Sequence, residues 1–82
     1  MIELRYFAWI RERIGLNGES FASGAQDVSS LIQELRLRGA PYDHVFADLS
    51  GIRVAVDQTV VEFDGSLVGA REVAFFPPMT GG

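Results

Sequence analysis

The residues equipped for chemistry sit at the end of this chain, in Val73-Ala74-Phe75-Phe76-Pro77-Pro78-Met79-Thr80-Gly81-Gly82. An apolar run meets two prolines and closes on two glycines. Pro77 and Pro78 have no N–H to give to a sheet ladder, so a strand through Phe76 must stop there. Each residue before a proline is driven to extended geometry. The segment from Pro77 to Gly82 can then reach roughly 20 Å from the sheet. Gly81 and Gly82 have no Cβ and can enter a slot too narrow for any side chain. Such an arm offers one functional group, the Gly82 carboxylate, and nothing shields its carbonyl from attack. A carboxylate is a poor electrophile until it is activated. The chain has no Gly-rich phosphate loop, so ATP is expected to act through a partner.

A Gly-Gly ending is weak by itself. It arises by chance in roughly 0.5% of chains at average glycine usage, and a frayed terminus is the ordinary alternative. Joined to Phe-Phe-Pro-Pro it becomes informative.

The rest of the chain lacks the usual catalytic groupings. With no cysteine, disulfides, zinc–thiolate sites and thiol nucleophiles are excluded, as is sulfur carried as a side-chain persulfide. His44 is the single histidine. Without a second histidine or an acidic pair at ligand spacing it reads as a surface loop residue, and no metal site is expected. Glu62 and Asp64 bracket a strand end and read as a solvated turn. The chain is not expected to act as an enzyme alone. A net charge of −4 and a pI near 4.7 give no electrostatic footprint for nucleic acid. Apolar residues make up 48% but fall in short runs, which excludes a membrane-spanning helix. The start of the chain lacks a signal-peptide pattern, so cytoplasmic residence is expected.

These 82 residues have room for one small domain. We place it at 1–76, followed by a flexible tail at 77–82. Ile2, Leu4 and Tyr6 alternate with Glu3, Arg5 and Phe7 as in a strand with one apolar face. Phe7 falls on the polar side and reads either as a core residue under the next helix or as a partner contact. Ile10 and Ile14 define a short helix, Ala8 to Ile14, stopped at Gly15. Glu19 to Ala22 reads as a returning strand. Asp27 can cap a helix from Val28 to Arg38 whose Val28, Leu31, Ile32 and Leu35 form one apolar stripe. Glu34 and Arg38 are spaced for an ion pair, and Gly39 supplies the C-cap. Pro41 to Ser50 connects, with Val45, Phe46 and Leu49 turned inward. Ile52 to Val56 and Thr59 to Phe63 form a hairpin about Asp57-Gln58, Leu67 and Val68 fill the core edge, and Glu72 to Phe76 is the last strand. Only one of Phe75 and Phe76 can enter the core. This order predicts an α+β fold, a mixed sheet of about five strands packed on one main helix.

The ending Phe75-Phe76-Pro77-Pro78-Met79-Thr80-Gly81-Gly82 resembles that of the MoaD-like sulfur carriers, small subunits of molybdopterin synthases. So do Ile2 to Ala8 with Ile10-Arg11-Glu12, and the strands around Val54 and Val73. Two positions depart from that pattern: Asp57 stands where Asn is usual, and Ala70-Arg71 where Gly-Asp is usual. The resemblance implies a ubiquitin-like β-grasp whose first and last strands pair in parallel. It implies that a MoeB-like partner adenylates Gly82 and that a sulfur donor displaces AMP to leave a thiocarboxylate. A MoaE-like large subunit then receives the tail, in a heterotetramer, and sulfur passes to the pterin precursor. Met79, Thr80 and Gly81 would line the slot. Phe7, Arg11, Phe75 or Phe76, Pro77 and Pro78 would contact partners. Carriers for thiamine synthesis or tRNA thiolation, and protein modifiers that join lysine, also end in Gly-Gly and are the alternative readings.

Overall fold

A computed structural model describes residues 1–78. Strand β1 (Ile2–Tyr6) buries Ile2, Leu4 and Tyr6 and exposes Glu3 and Arg5. Phe7 and Ala8 turn the chain into helix α1 (Ala8–Ile14), with Ala8 at φ +52°. Gly15 ends that helix in the left-handed conformation, which a residue without Cβ adopts freely. Strand β2 (Gly18–Phe21) returns antiparallel to β1. Helix α2 (Val28–Arg36) starts where the Asp27 side chain accepts the Ser30 N–H at 2.8 Å, and it buries the expected Val28, Leu31, Ile32 and Leu35. A further helix α3 (Tyr42–Phe46) and a single 3-10 turn at Leu49–Gly51 lead to the hairpin of β3 (Arg53–Val56) and β4 (Thr59–Val61). Strand β5 (Glu72–Phe76) comes last.

The strands form one sheet in the order β2-β1-β5-β3-β4. The last strand therefore lies in the middle, parallel to β1 on one side and antiparallel to β3 on the other. Leu4, Tyr6, Val54, Val73 and Phe75 from the sheet meet Ile10, Leu31, Leu35, Val45 and Phe46 from the helices in one core.

Several local expectations are corrected. Helix α2 ends at Arg36, because the N–H groups of Arg38 and Gly39 reach back to Leu35 and Arg36 in tight turns. Arg38 then leaves the helix axis and pairs with Glu19 at 2.9 Å, while Glu34 accepts from Ser23 and the Gly24 N–H. The Glu34–Arg38 pair therefore does not form. Beside the main helix α2, the expected short helix α1 buries Ile10, and the connecting segment forms α3, which buries Tyr42, Val45 and Phe46. Leu67 is buried but Val68 is 81% exposed, so only one of those two fills the core edge. β3 and β4 are each shorter than expected, with Ile52 buried ahead of β3.

Candidate functional site: the end of the central strand

β5 delivers Pro77 and Pro78 from the centre of the sheet. Strands on both flanks fix its position: Tyr6 of β1 stands opposite Phe75, and Arg53 of β3 opposite Phe76. One step further, the Phe7 N–H donates to the Phe75 carbonyl at 3.1 Å. Strand alternation then divides the aromatic pair. Phe75 has no exposed surface; its ring lies 6.3 Å from that of Tyr6, nearly parallel, and meets Phe46 edge-on at 4.9 Å. Its expected part in partner contact is thereby corrected, since a fully buried ring has nothing to offer a partner. Phe76 lies on the opposite face of the sheet, half-buried, and both prolines are half-buried as well.

Among the described residues, no helix packs on that opposite face. Ala55 and Ala74 pair across its middle, with Ala55 also opposite Val60 of β4, which is 64% exposed. Arg5 holds Glu72 at 3.0 Å toward the far end. Arg53 donates to its own neighbour's carbonyl, that of Ile52, and makes no ion pair among the described residues. A cavity of about 260 Å³ at the β3–β4 hairpin is lined by Arg53, Val54, Val60, Val61, Glu62 and Phe63. Phe7 is 44% exposed, which corrects its reading as core; it projects at the same strand end as Phe76. Arg11 is exposed one helical turn beyond it. Met79, Thr80, Gly81 and Gly82 lie outside the described residues. Arg53 and Val60 are additions that the sequence reading missed. Their alternation with Ile52, Val54 and Val61 was the available signal.

Behind Phe75 the β1–β2 end of the core is closed by a polar cluster. The Tyr6 and Tyr42 hydroxyls both donate to Glu19 Oε2, at 2.8 and 2.7 Å, and Arg38 donates to Glu19 Oε1. The Arg38 guanidinium also lies over the Tyr42 and Phe21 rings. Burial and then the bond to Glu19 push both phenols above their ordinary pKa. Burial alone would raise Glu19, but hydrogen bonds from Tyr42, Tyr6 and Arg38 outweigh it and hold the carboxylate below its usual range.

At the other end of β5, Asp57 and Gln58 take positive φ values, +48° and +71°, to turn the β3–β4 hairpin. Asp57 Oδ1 accepts the N–H groups of both Arg71 and Glu72 at 3.0 Å. The two departures from the resembled pattern thus meet in one hydrogen-bonded corner, which pins the start of β5. His44 is exposed on α3. Among the described residues no three potential ligands gather as a metal site. No described helix is long and apolar enough to cross a membrane.

A mixed five-stranded sheet with a parallel central pair, helices on one face and the last strand leading outward from the middle is a ubiquitin-like β-grasp. The crystal structure of SAMP1 from Haloferax volcanii superposes with a TM-score of 0.70 at 24% identity, over 99% of this chain and 98% of that one. Residues 4–82 match the ThiS family, and the chain belongs to it. Its relatives include the molybdopterin synthase sulfur carrier subunit of Escherichia coli K12, 37% identical over the full length of both chains. The protein of the same name from Haemophilus influenzae is 27% identical, again over all of both chains.

Proposed function

We propose that this chain is the sulfur carrier subunit of a molybdopterin synthase. The observation that carries this reading is its end-to-end 37% identity to a protein of that name. The geometry is consistent with it: a clamped central strand leads into Pro77 and Pro78 at the end of the sheet, beside a face on which no described helix packs. The Gly82 carboxylate attacks the α-phosphorus of ATP on a MoeB-like enzyme, releasing pyrophosphate and forming an acyl-adenylate. A persulfide-class donor displaces AMP, and attack of a second thiol of the donor on the resulting acyl disulfide releases the thiocarboxylate and leaves the donor as a disulfide. A MoaE-like large subunit, two copies of each chain making a heterotetramer, takes up Met79, Thr80 and Gly81, and sulfur passes to the pterin precursor. Phe7, Arg11, Phe76, Pro77 and Pro78 form the rim that these partners grip, with Arg53 and Val60 beside it. ATP and the sulfur donor are reactants held by partners, the folded part is a passive base for the tail, and the complex resides in the cytoplasm.

The test is mass spectrometry of the chain made with its adenylating partner, ATP and a sulfur donor, read after thiocarboxylate-selective alkylation. One alkyl group on Gly82 is the expected product. An adduct through a substrate lysine, with no alkylatable terminus, would overturn the reading in favour of protein modification.

A further inference from the structure

The seven basic residues of this chain, Arg5, Arg11, Arg13, Arg36, Arg38, Arg53 and Arg71, are all arginine; the 82 residues contain no lysine and no cysteine. An arginine guanidinium stays protonated and is no nucleophile, whereas lysine amines and cysteine thiols are the side chains that trap activated acyl groups. We propose that this makes the chain a one-way acyl donor, with no side chain able to take up the activated Gly82 of its own or a sister copy. The inference rests on the reading of Gly82 as an acyl end. It adds that no side chain of this chain links it to its own copies, and that a side-chain conjugate containing it is joined through an amine of the partner.

Within one copy, the fold disposes of the remaining nucleophiles. Met1 carries a primary amine, but it precedes β1, and the parallel register of Glu3 with Glu72 and Tyr6 with Phe75 puts it at the far end from Pro77. The path from Phe76 back to Met1 is roughly 20 Å at strand rise. That matches the whole reach of the tail, again roughly 20 Å, and leaves no residue to make the turn. The Tyr6 and Tyr42 hydroxyls are both committed to Glu19. Burial, reinforced by that bond, keeps them protonated and hence poor nucleophiles. Serine and threonine hydroxyls need a general base, and the single histidine, His44, stands on α3 rather than at the strand end. Arginine at position 53 matters most. It is the cross-strand neighbour of Phe76, so an amine there would stand beside the root of the tail.

The test uses the full chain prepared with Gly82 as a C-terminal thioester, so that no adenylating partner is involved. An attacking amine forms the C–N bond, the C–S bond breaks, the thiol leaves and a proton passes to buffer. At micromolar protein the wild type is expected to lose its thioester by hydrolysis alone. In R53K a tethered amine at millimolar effective concentration should close a ring, on the order of 1,000-fold faster than coupling between chains. The product is a monomer lighter than the free acid by one water. R71K places its amine before the start of β5, where only a fully extended tail reaches it, and should close far more slowly than R53K. Self-coupling of the wild type at the R53K rate would overturn the proposal, as would R53K forming no ring or R71K closing as readily. A chain that is never adenylated would instead defeat the functional reading and leave this one standing.

Discussion

Replacing Glu19 by alanine tests whether the polar cluster behind Phe75 holds the base of the tail. Glu19 accepts from Tyr6, Tyr42 and Arg38. Without it the Arg38 guanidinium, already part-exposed, turns to solvent at little cost. The Tyr6 hydroxyl cannot, because Tyr6 is 1% exposed. Hydrogen bonds to a charged acceptor are each worth about 1.5–3 kcal/mol, and a buried donor left unsatisfied costs about 1–3 kcal/mol. These terms overlap, and a loss of about 3 kcal/mol is expected. At roughly 4–8 °C per kcal/mol for a domain of this size, Tm falls by roughly 12–24 °C. Thermal melts followed by the fluorescence of Trp9, which packs partly buried against the core, read this directly. The pH dependence supplies the second half. The folded pKa of Glu19 lies below its unfolded value of about 4.3. Its contribution is therefore complete above that value and is lost as pH falls through the depressed one. Glu19→Gln, which cannot ionise, lacks this acid-induced loss, and subtracting its profile from wild type removes the terms from other carboxylates. A Glu19→Ala Tm within about 2 °C of wild type, or superimposable acid profiles for wild type and Glu19→Gln, would refute the reasoning.

Deleting Gly82 should abolish sulfur transfer and leave Tm nearly unchanged, because the core closes at Phe75 and the last strand ends at Phe76; activity assays and melts on the same sample check both. Leu31→Ala should do the reverse, costing about 2–5 kcal/mol in urea denaturation as a core truncation while the surviving folded fraction still accepts sulfur. Asp57→Asn keeps an acceptor for the Arg71 and Glu72 N–H groups and tolerates positive φ, so its stability should lie within about 0.5 kcal/mol of wild type. Asp57→Ala removes that acceptor from a hairpin already at positive φ and should cost about 1–3 kcal/mol; amide exchange at Arg71 and Glu72 locates the loss.

Elements with an unbroken local pattern were legible from the sequence. Ile2, Leu4 and Tyr6 at period two fixed β1. The Asp27 cap with its Val28, Leu31, Ile32 and Leu35 stripe fixed the start and inner face of α2. The two prolines ended β5 at Phe76. What failed depended on groups remote in sequence. The spacing of Glu34 and Arg38 permits a helical pair, yet Arg38 finds Glu19, 19 residues away, in a cluster that also binds the phenols of Tyr6 and Tyr42. That better-supported partner draws Arg38 off and leaves α2 short. Leu67 and Val68 are equally apolar neighbours, and only the way the segment crosses the sheet edge decides which turns inward. Phe75 and Phe76 posed the same problem with a sharper answer, because register with Tyr6 on one side and Arg53 on the other assigns each ring to its face.

The central position of β5 explains how one small domain divides two tasks. A strand at a sheet edge can peel away when its end is pulled, since a single ladder holds it. β5 is held by two ladders, by the Phe7 N–H at its last turn inward, and by Asp57 at its start. Force on the tail therefore meets the whole sheet, and the direction in which Pro77 leaves is set by the core. On the function proposed above, partners would grip the face around Phe76, Val60 and Arg53 without altering the reactive end, and the chemistry of that end would leave the face unchanged. The absence of lysine fits this separation: the scaffold at the root of the tail carries no amine side chain.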